Sequence, residues 1–203
     1  MSFTKADELR LTLGLFCLFL VSFLIQNYLI FPIESLIFDP GTVQIASLMF
    51  IPHGVKVIFA TLYGRLAIFP ILVGQTVGIY MYTFDLQFSL SFGAIAVLAV
   101  YIPVALVSYL ERGGFEGDPI TLTGSNTLLL GRKVLVIALI SSLLNSYFAS
   151  LLNGVTPESQ IWLRFLIGDM VGALVVFGLV YLMRGSIRTW LFRRVGIEQT
   201  KKM

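Results

Sequence analysis

Six long apolar stretches, separated by more polar connections, constrain what this chain of 203 residues can fold into. Each stretch approaches or exceeds the roughly 20 residues that a helix needs to cross a bilayer. The sequence lacks the strict alternation of apolar and polar residues that is typical of a membrane barrel. We therefore predict an all-α integral membrane protein, a polytopic bundle of six transmembrane helices. The predicted spans are residues 11–33, 43–63, 66–83, 88–110, 134–152 and 161–183, within a single transmembrane domain, 1–203.

Composition leads to the same class of protein. The chain is 57% hydrophobic and 12% charged, whereas a soluble domain carries about 25% charged residues. Its length suits one compact bundle and leaves no room for a separate soluble domain. The first apolar stretch is longer than the core of about 7–15 residues that a cleaved signal peptide has, so we interpret it as an uncleaved span.

Basic residues fall in alternate connections of the predicted bundle, which orients it in the membrane. By the positive-inside rule both termini are predicted to be cytoplasmic, with a cytoplasmic loop at 111–133 and a basic cytoplasmic tail at 184–203. The expected location is the bacterial inner (plasma) membrane, with multiple spans. The net charge of +3 fits contacts with anionic lipid headgroups and requires no nucleic-acid partner. The basic residues on this side are Lys5, Arg10, Arg65, Arg112, Arg132, Lys133, Arg184, Arg188, Arg193, Arg194, Lys201 and Lys202.

Polar side chains recur at a similar depth in five of the predicted spans. At about 1.5 Å per residue, they fall in one layer roughly 10–15 Å below the outer surface. One interpretation is a small polar cavity that opens towards the outside. The other is a set of interhelical hydrogen bonds, worth about 0.6 kcal/mol each, that hold the bundle together. The residues of this layer are Gln26, Asn27, His53, Gln75, Asn145 and Asp169.

Asp169 needs a partner, because a lone carboxylate in hydrocarbon is strongly disfavoured. His53 lies at nearly the same depth, and Lys56 follows one helical turn further in on a similar face. A cluster of these three residues is one prediction, and the alternative is that Lys56 extends to the cytoplasmic interface. Arg164, five residues outward of Asp169, is placed either to capture an anion or to mark the outer headgroups. The predicted ligand-binding residues are His53, Lys56, Gln75, Asn145, Arg164 and Asp169.

The second predicted span contains a signal for a break in its helix. Pro52 has no amide hydrogen and would clash with the carbonyl group of Leu48 in a regular helix. Gly54 offers little resistance to bending. We therefore predict a kink or an interruption between Leu48 and Val55, with carbonyl groups that face the polar layer.

Two glycine pairs at helical spacing accompany the polar layer. Gly74 and Gly78 form one G-x-x-x-G motif, and Gly168 and Gly172 form another. Such pairs let helix backbones approach each other closely in membranes. The motifs therefore predict that Gln75 and Asp169 face crowded interfaces rather than lipid.

The motifs of common enzyme classes are missing from the sequence. No second acid in a span faces Asp169, as an aspartyl protease would need. G-x-S-x-G, His-Glu-x-x-His and phosphate-loop motifs are absent, and one histidine with one cysteine cannot form a convincing metal site. We therefore expect no enzyme activity, no catalytic residues, no metal and no cofactor.

Several short segments carry a resemblance to a known family. They are residues 52–55 (PHGV), 62–65 (LYGR), 69–74 (FPILVG), 162–163 (WL) and 167–172 (IGDMVG). Together they resemble MASE-type membrane-associated sensor domains. The resemblance implies an integral membrane sensory module of the kind normally fused to cytoplasmic signalling domains. That family usually has about eight spans, whereas this chain has six predicted spans and reaches Met203 without an output domain, so a separate signalling partner is expected.

Two further functions stay open at this point. The size, six spans and cytoplasmic termini also look like the substrate-binding subunits of energy-coupling-factor vitamin transporters, although residues 13–19 (LGLFCLF) lack the docking pattern Ala-x-x-x-Ala. The chain could also be a structural or assembly subunit of a membrane complex. The leading hypothesis is a non-enzymatic sensory or small-ligand-binding module. Expected partners are membrane lipids, a small-molecule ligand and a separate signalling or transport protein.

Overall fold

A computed structural model of the chain describes residues 5–38, 46–112, 127–154 and 160–194. Within these ranges the structure consists of helices and short turns, and contains no strand. Helix α1 (Lys5–Ile25) continues through a π-helical turn (Gln26–Ile30) into α2 (Phe31–Ser35). Then follow α3 (Ile51–Tyr63), a 3₁₀ turn (Gly64–Ala67), α4 (Ile68–Thr83), α5 (Leu86–Arg112), α6 (Thr127–Leu152) and α7 (Gln160–Arg194).

Five helical stretches in the described ranges are long and apolar enough to cross a membrane. They are Lys5–Ser35, Ile51–Thr83, Leu86–Leu110, Gly131–Leu152 and Ile161–Met183. The prediction of an all-α, multi-pass membrane protein is confirmed at this level. The second stretch contains the helices of two predicted spans, 43–63 and 66–83, and it is broken between them.

The break in that stretch is a turn at Gly64, where the backbone has a φ of 52°. This conformation strains residues with a Cβ, and glycine adopts it readily. The hydroxyl group of Tyr101 on α5 donates a hydrogen bond to the Gly64 carbonyl group and holds the turn against the bundle.

The two helices of the broken stretch, α3 and α4, run in opposite directions. The ring of Phe23 on α1 packs edge-to-face on Phe50, which precedes α3, with ring centroids 6.1 Å apart. The same Phe23 ring fills the space beside Gly78, near the end of α4. The start of α3 and the end of α4 therefore lie at the same end of the bundle. Helices α1 and α5 pack against both α3 and α4.

Helix α3 is the centre of the bundle. It contacts α1, α5, α6 and α7, and nearly all of its residues are buried. The predicted break in this part of the chain is confirmed, since residues 46–50 are not helical and α3 begins at Ile51. Pro52 occupies the first turn, where its missing amide hydrogen removes no helical bond. The clash that Pro52 would make with Leu48 in a regular helix is avoided, because Leu48 lies outside the helix.

A carboxylate inside the bundle holds the non-helical segment that precedes α3. Glu34, which is 9% exposed, accepts hydrogen bonds from the amides of Leu48, at 3.1 Å, and Met49, at 3.0 Å. The hydroxyl group of Ser47 donates to the same carboxylate at 2.8 Å. Hydrocarbon supplies no water to unpaired amides, so Glu34 takes the place of water at this helix start. Its negative charge also suits the positive end of the α3 dipole.

Two further acceptors complete the start of α3. The side-chain oxygen of Gln26 accepts the amide of Ile51 at 3.0 Å. The amide of Phe50 donates to the backbone carbonyl group of Gly168 on α7 at 2.9 Å. Residues 46–51 are thereby fixed to the π-helical turn and α2 on one side and to α7 on the other.

The glycine pair on α7 packs against this segment. A Cβ at Gly168 would collide with the carbonyl group of Ser47, and one at Gly172 would collide with that of Phe50. Gly54 on α3 lies equally close to the backbone at Gly172. The close approach predicted for this motif is confirmed, although part of its partner is non-helical backbone.

The other glycine pair has a different neighbour from the one predicted. The spaces beside Gly74 and Gly78 on α4 are filled by the rings of Phe19 and Phe23 from α1. A phenylalanine ring needs the same clearance as an approaching backbone, and the motif alone does not distinguish the two. The prediction that this pair brings Gln75 to an interface is confirmed, since Gln75 is 3% exposed.

Helices continue past the predicted spans into two of the predicted connections. Helix α5 extends to Arg112 and α6 begins at Thr127, so helix enters the connection at 111–133 from both sides; residues 113–126 lie outside the described ranges. The tail at 184–203 is helical as far as Arg194, and 195–203 lies outside the described ranges. Hydropathy marks where apolar residues end, whereas a helix ends where its backbone bonding stops. At about 1.5 Å per residue, the 35 residues of α7 exceed the roughly 30 Å of a hydrocarbon core.

The packing of α7 predicts different outcomes for two glycine substitutions on the same helix. Gly172→Ala should lower the thermal unfolding temperature in detergent, because its Cβ meets the Phe50 backbone; such overpacking costs about 1–3 kcal/mol. Gly178→Ala is the matched control, since open space lies beside Gly178. Equal stability of the two variants would contradict the proposed contact.

Candidate functional site

Five buried side chains form one polar network between α3, α6 and α7. At its centre, Oδ2 of Asp169 accepts a hydrogen bond from Nδ2 of Asn145 at 2.6 Å and lies 3.0 Å from Nδ1 of His53. Nζ of Lys56 donates to Oδ1 of Asn145 at 2.9 Å. The hydroxyl group of Ser142 lies 3.3 Å from Nε2 of His53. We call these five residues the polar network.

The network is enclosed almost completely. His53, Lys56 and Ser142 are 0% exposed, and Asp169 is 1% exposed. The predicted contact between Asp169 and His53 is confirmed as an ion-pair distance, although Nδ1 is not aligned for a hydrogen bond. Lys56 reaches Asp169 through the amide of Asn145, so its predicted alternative, extension to the interface, was wrong.

Helical spacing explains how the network assembles. His53 and Lys56 stand three residues apart on α3, and Ser142 and Asn145 do so on α6, so each pair shares one face of its helix. Gly168 and Gly172 allow α7 to approach α3 and the segment before it closely. Asp169 on α7 thereby reaches both His53 on α3 and Asn145 on α6. Sequence reasoning missed Ser142. The available signal was its position one helical turn before Asn145, on a face of α6 rich in small hydroxyl side chains.

A second polar cluster beside the network also escaped prediction. Glu34 and Ser47 hydrogen-bond to each other, and Nε2 of Gln26 donates to the Ser47 hydroxyl group at 3.0 Å. Glu34 stands one residue beyond the predicted first span, so it was not counted among the polar residues of the spans. The structure brings it into the bundle, against Ser47 and the amides of Leu48 and Met49.

A cavity of about 410 Å³ lies over the polar network. Its polar lining includes Gln75, Asn145 and Asp169, together with Ser47 from the non-helical segment. The remaining wall is mainly aromatic, and includes Phe23, Phe50 and Phe165. The cavity thus combines a small polar surface with a large apolar one.

The cavity lies at one end of the bundle. Phe31 on α2 and Thr83, the last residue of α4, line it, as do Phe88 near the start of α5 and Asn153 just past α6. This is the end of the bundle where the predicted orientation places the outer surface.

The structure separates the six predicted ligand-binding residues into three groups. Gln75, Asn145 and Asp169 line the cavity. His53 and Lys56 lie behind them, bonded to Asp169 and Asn145.

Arg164 belongs to neither of these groups. Its guanidinium group lies 4.5 Å from the ring centroid of Phe38, in a cation–π contact. Depth along a span does not reveal which way a helix faces. Arg164 was therefore assigned to the site although it does not line the cavity.

The residues of the site offer hydrogen-bonding groups, charge and aromatic faces. In the described part of the chain, no three histidine, cysteine or acidic side chains come together as ligands for a metal ion.

No family model, curated protein or solved structure matches this chain. The resemblance to MASE-type sensor domains therefore stays a hypothesis, and the functional argument depends on the geometry of the site.

Charge balance within the network predicts the outcome of removing one partner. Asp169→Leu leaves the Lys56 ammonium buried without its compensating charge, and losses of about 3–5 kcal/mol follow when a buried pair is broken in this way. The double variant Lys56→Met/Asp169→Leu removes both charges and should recover most of that stability. Chemical unfolding in detergent measures both effects. A double variant as unstable as Asp169→Leu would show that the two charges do not compensate each other.

Proposed function

We propose that this chain is a non-enzymatic membrane protein that binds a small molecule in the cavity over Asp169 and uses that binding for sensing. The observation that carries the proposal is the cavity of about 410 Å³, with a few polar groups and aromatic walls. Small-molecule sites are typically concave, about 300–1,000 Å³ in volume, mostly apolar and lined by a few placed polar groups. Interhelical hydrogen bonds alone would require no open space beside Asp169, so the cavity favours binding over a purely structural role.

The proposed topology is six crossings with both termini in the cytoplasm. The opposite directions of α3 and α4 support counting Ile51–Thr83 as two crossings. The 13 residues of α3 span only about 20 Å at 1.5 Å per residue, and residues 46–50 would complete the crossing. Non-helical backbone is tolerated at such depth where protein buries it or where it lines a cavity. Ser47 is buried and lines the cavity, and the partly buried Phe50 also lines it.

The distribution of charge supports this orientation. Arg65 in the turn after α3, and Arg132 and Lys133 near the start of α6, lie at the end of the bundle away from the cavity. The positive-inside rule assigns that end to the cytoplasm. The proposed cavity therefore faces the outside of a bacterial inner membrane, where it meets extracellular or periplasmic solutes.

Occupancy of the cavity is the first property to test. Wild-type protein purified from its native membrane should carry a small molecule, detected by native mass spectrometry. Ile79→Trp fills the cavity, because Ile79 lines it, and should lose that molecule. Val77→Trp, at a 37% exposed position on the same helix, should retain it. Absence of any bound molecule, or equal occupancy in all three proteins, would contradict the proposal.

Topology can be tested independently of the ligand. Reporter fusions at Gly41 and Thr156 should behave as external, whereas fusions at Gly117 and Met203 should behave as cytoplasmic. The physical reason is the accumulation of Lys and Arg in the predicted cytoplasmic connections. An external C-terminus, or an odd number of crossings, would reject the proposed arrangement.

A further inference from the structure

The cavity lining contains one buried side-chain oxygen that no described residue satisfies. The carboxamide of Gln75 is 3% exposed, lines the cavity, and has no hydrogen-bond partner for Oε1 among the described residues. Buried polar groups of this kind normally have a partner, and those without one call for an explanation. A bound molecule that hydrogen-bonds to the carboxamide would supply it.

The carboxylate of Asp169 retains capacity to accept hydrogen bonds. Both of its contacts within the described part of the chain, from Asn145 and His53, fall on Oδ2. An ionised carboxylate offers about four acceptor sites, so Oδ1 remains for a donor in the cavity. The ammonium group of Lys56 donates its hydrogen bond to Asn145, and Lys56 does not line the cavity.

Charge and ring faces favour one sign of ligand. Two carboxylates, Glu34 and Asp169, are buried among the described residues, against the single ammonium of Lys56. Phe23, Phe50 and Phe165 line the wall beside Asp169. Aromatic faces attract cations and repel anions. The carboxylate of Asp169 has the same effect on a charged ligand.

We infer that the cavity selects a small organic ammonium ion with a flat apolar body. The ammonium group donates to Asp169 and Gln75, while the apolar body lies among the phenylalanine rings. This inference rests on the proposed function, since it names the ligand class of the same cavity.

Three indole probes of matched shape separate charge from size. They are tryptamine, a cation; indole-3-acetate, an anion; and 3-ethylindole, which is neutral. Binding is measured by calorimetry on the full chain in lipid nanodiscs, with empty nanodiscs as the blank. Tryptamine should bind at least about tenfold more tightly than either of the others.

A substitution at Gln75 tests the assigned contact. Gln75→Met keeps a similar length, removes the carboxamide, and should weaken tryptamine binding about fivefold, the effect expected for one hydrogen bond. Gln87→Met, at an exposed position on α5 outside the cavity, is the control and should change nothing. Because Gln75 is not part of the polar network, this test does not depend on variants that disturb folding.

The outcomes distinguish this inference from the proposed function. Equal binding of 3-ethylindole or indole-3-acetate, or no binding of tryptamine, overturns the inference of an ammonium ligand. So does an unchanged affinity of Gln75→Met for tryptamine. The proposed function survives these results if wild-type protein still carries a small molecule that Ile79→Trp lacks, and it fails if that molecule is absent.

Discussion

The amides of residues 48–51, which lead into α3, lie inside the bundle, where lipid offers no hydrogen-bond partners, and the rest of the structure depends on how they are satisfied. Glu34 accepts the amides of Leu48 and Met49, and Gln26 accepts that of Ile51. The third partner is the backbone of α7, where the carbonyl group of Gly168 accepts the Phe50 amide. An unpaired backbone group costs several kcal/mol in hydrocarbon. These contacts therefore let a helix begin at membrane depth, and they tie the first helix to the last.

The candidate site follows from that arrangement. Once residues 46–50 are held against Gly168 and Gly172, α3 and α7 approach closely enough for His53 to lie beside Asp169. The remaining charge of the network, Lys56, is balanced through an amide. The same non-helical segment contributes to the cavity wall, so the helix break and the cavity share a boundary. Changes at the cavity can thus reach the centre of the bundle through residues that are already in contact.

The sequence predicted the class of fold, the break before α3 and the contact between His53 and Asp169, because each has a local signal in apolar length, proline position or depth along a span. It did not predict the role of Glu34. Its partners are mostly backbone amides, which nearly every residue has, so the sequence gives no signal for them. Arg164 was assigned to the site by depth alone, but facing direction depends on how α7 is rotated in the bundle. Helix ends beyond the membrane were not predicted, because polarity marks the lipid boundary and not the end of backbone bonding. The volume of the cavity depends on packing in three dimensions and has no counterpart in a linear pattern.

An experimental structure of the protein in lipid, at a resolution that shows side chains, tests the central claim most directly. The account predicts non-helical backbone at 46–50, the Glu34 carboxylate on the amides of Leu48 and Met49, and density for a small molecule beside Asp169. A regular helix that extends back through residues 46–50, with the space over Asp169 closed by side chains, would contradict it.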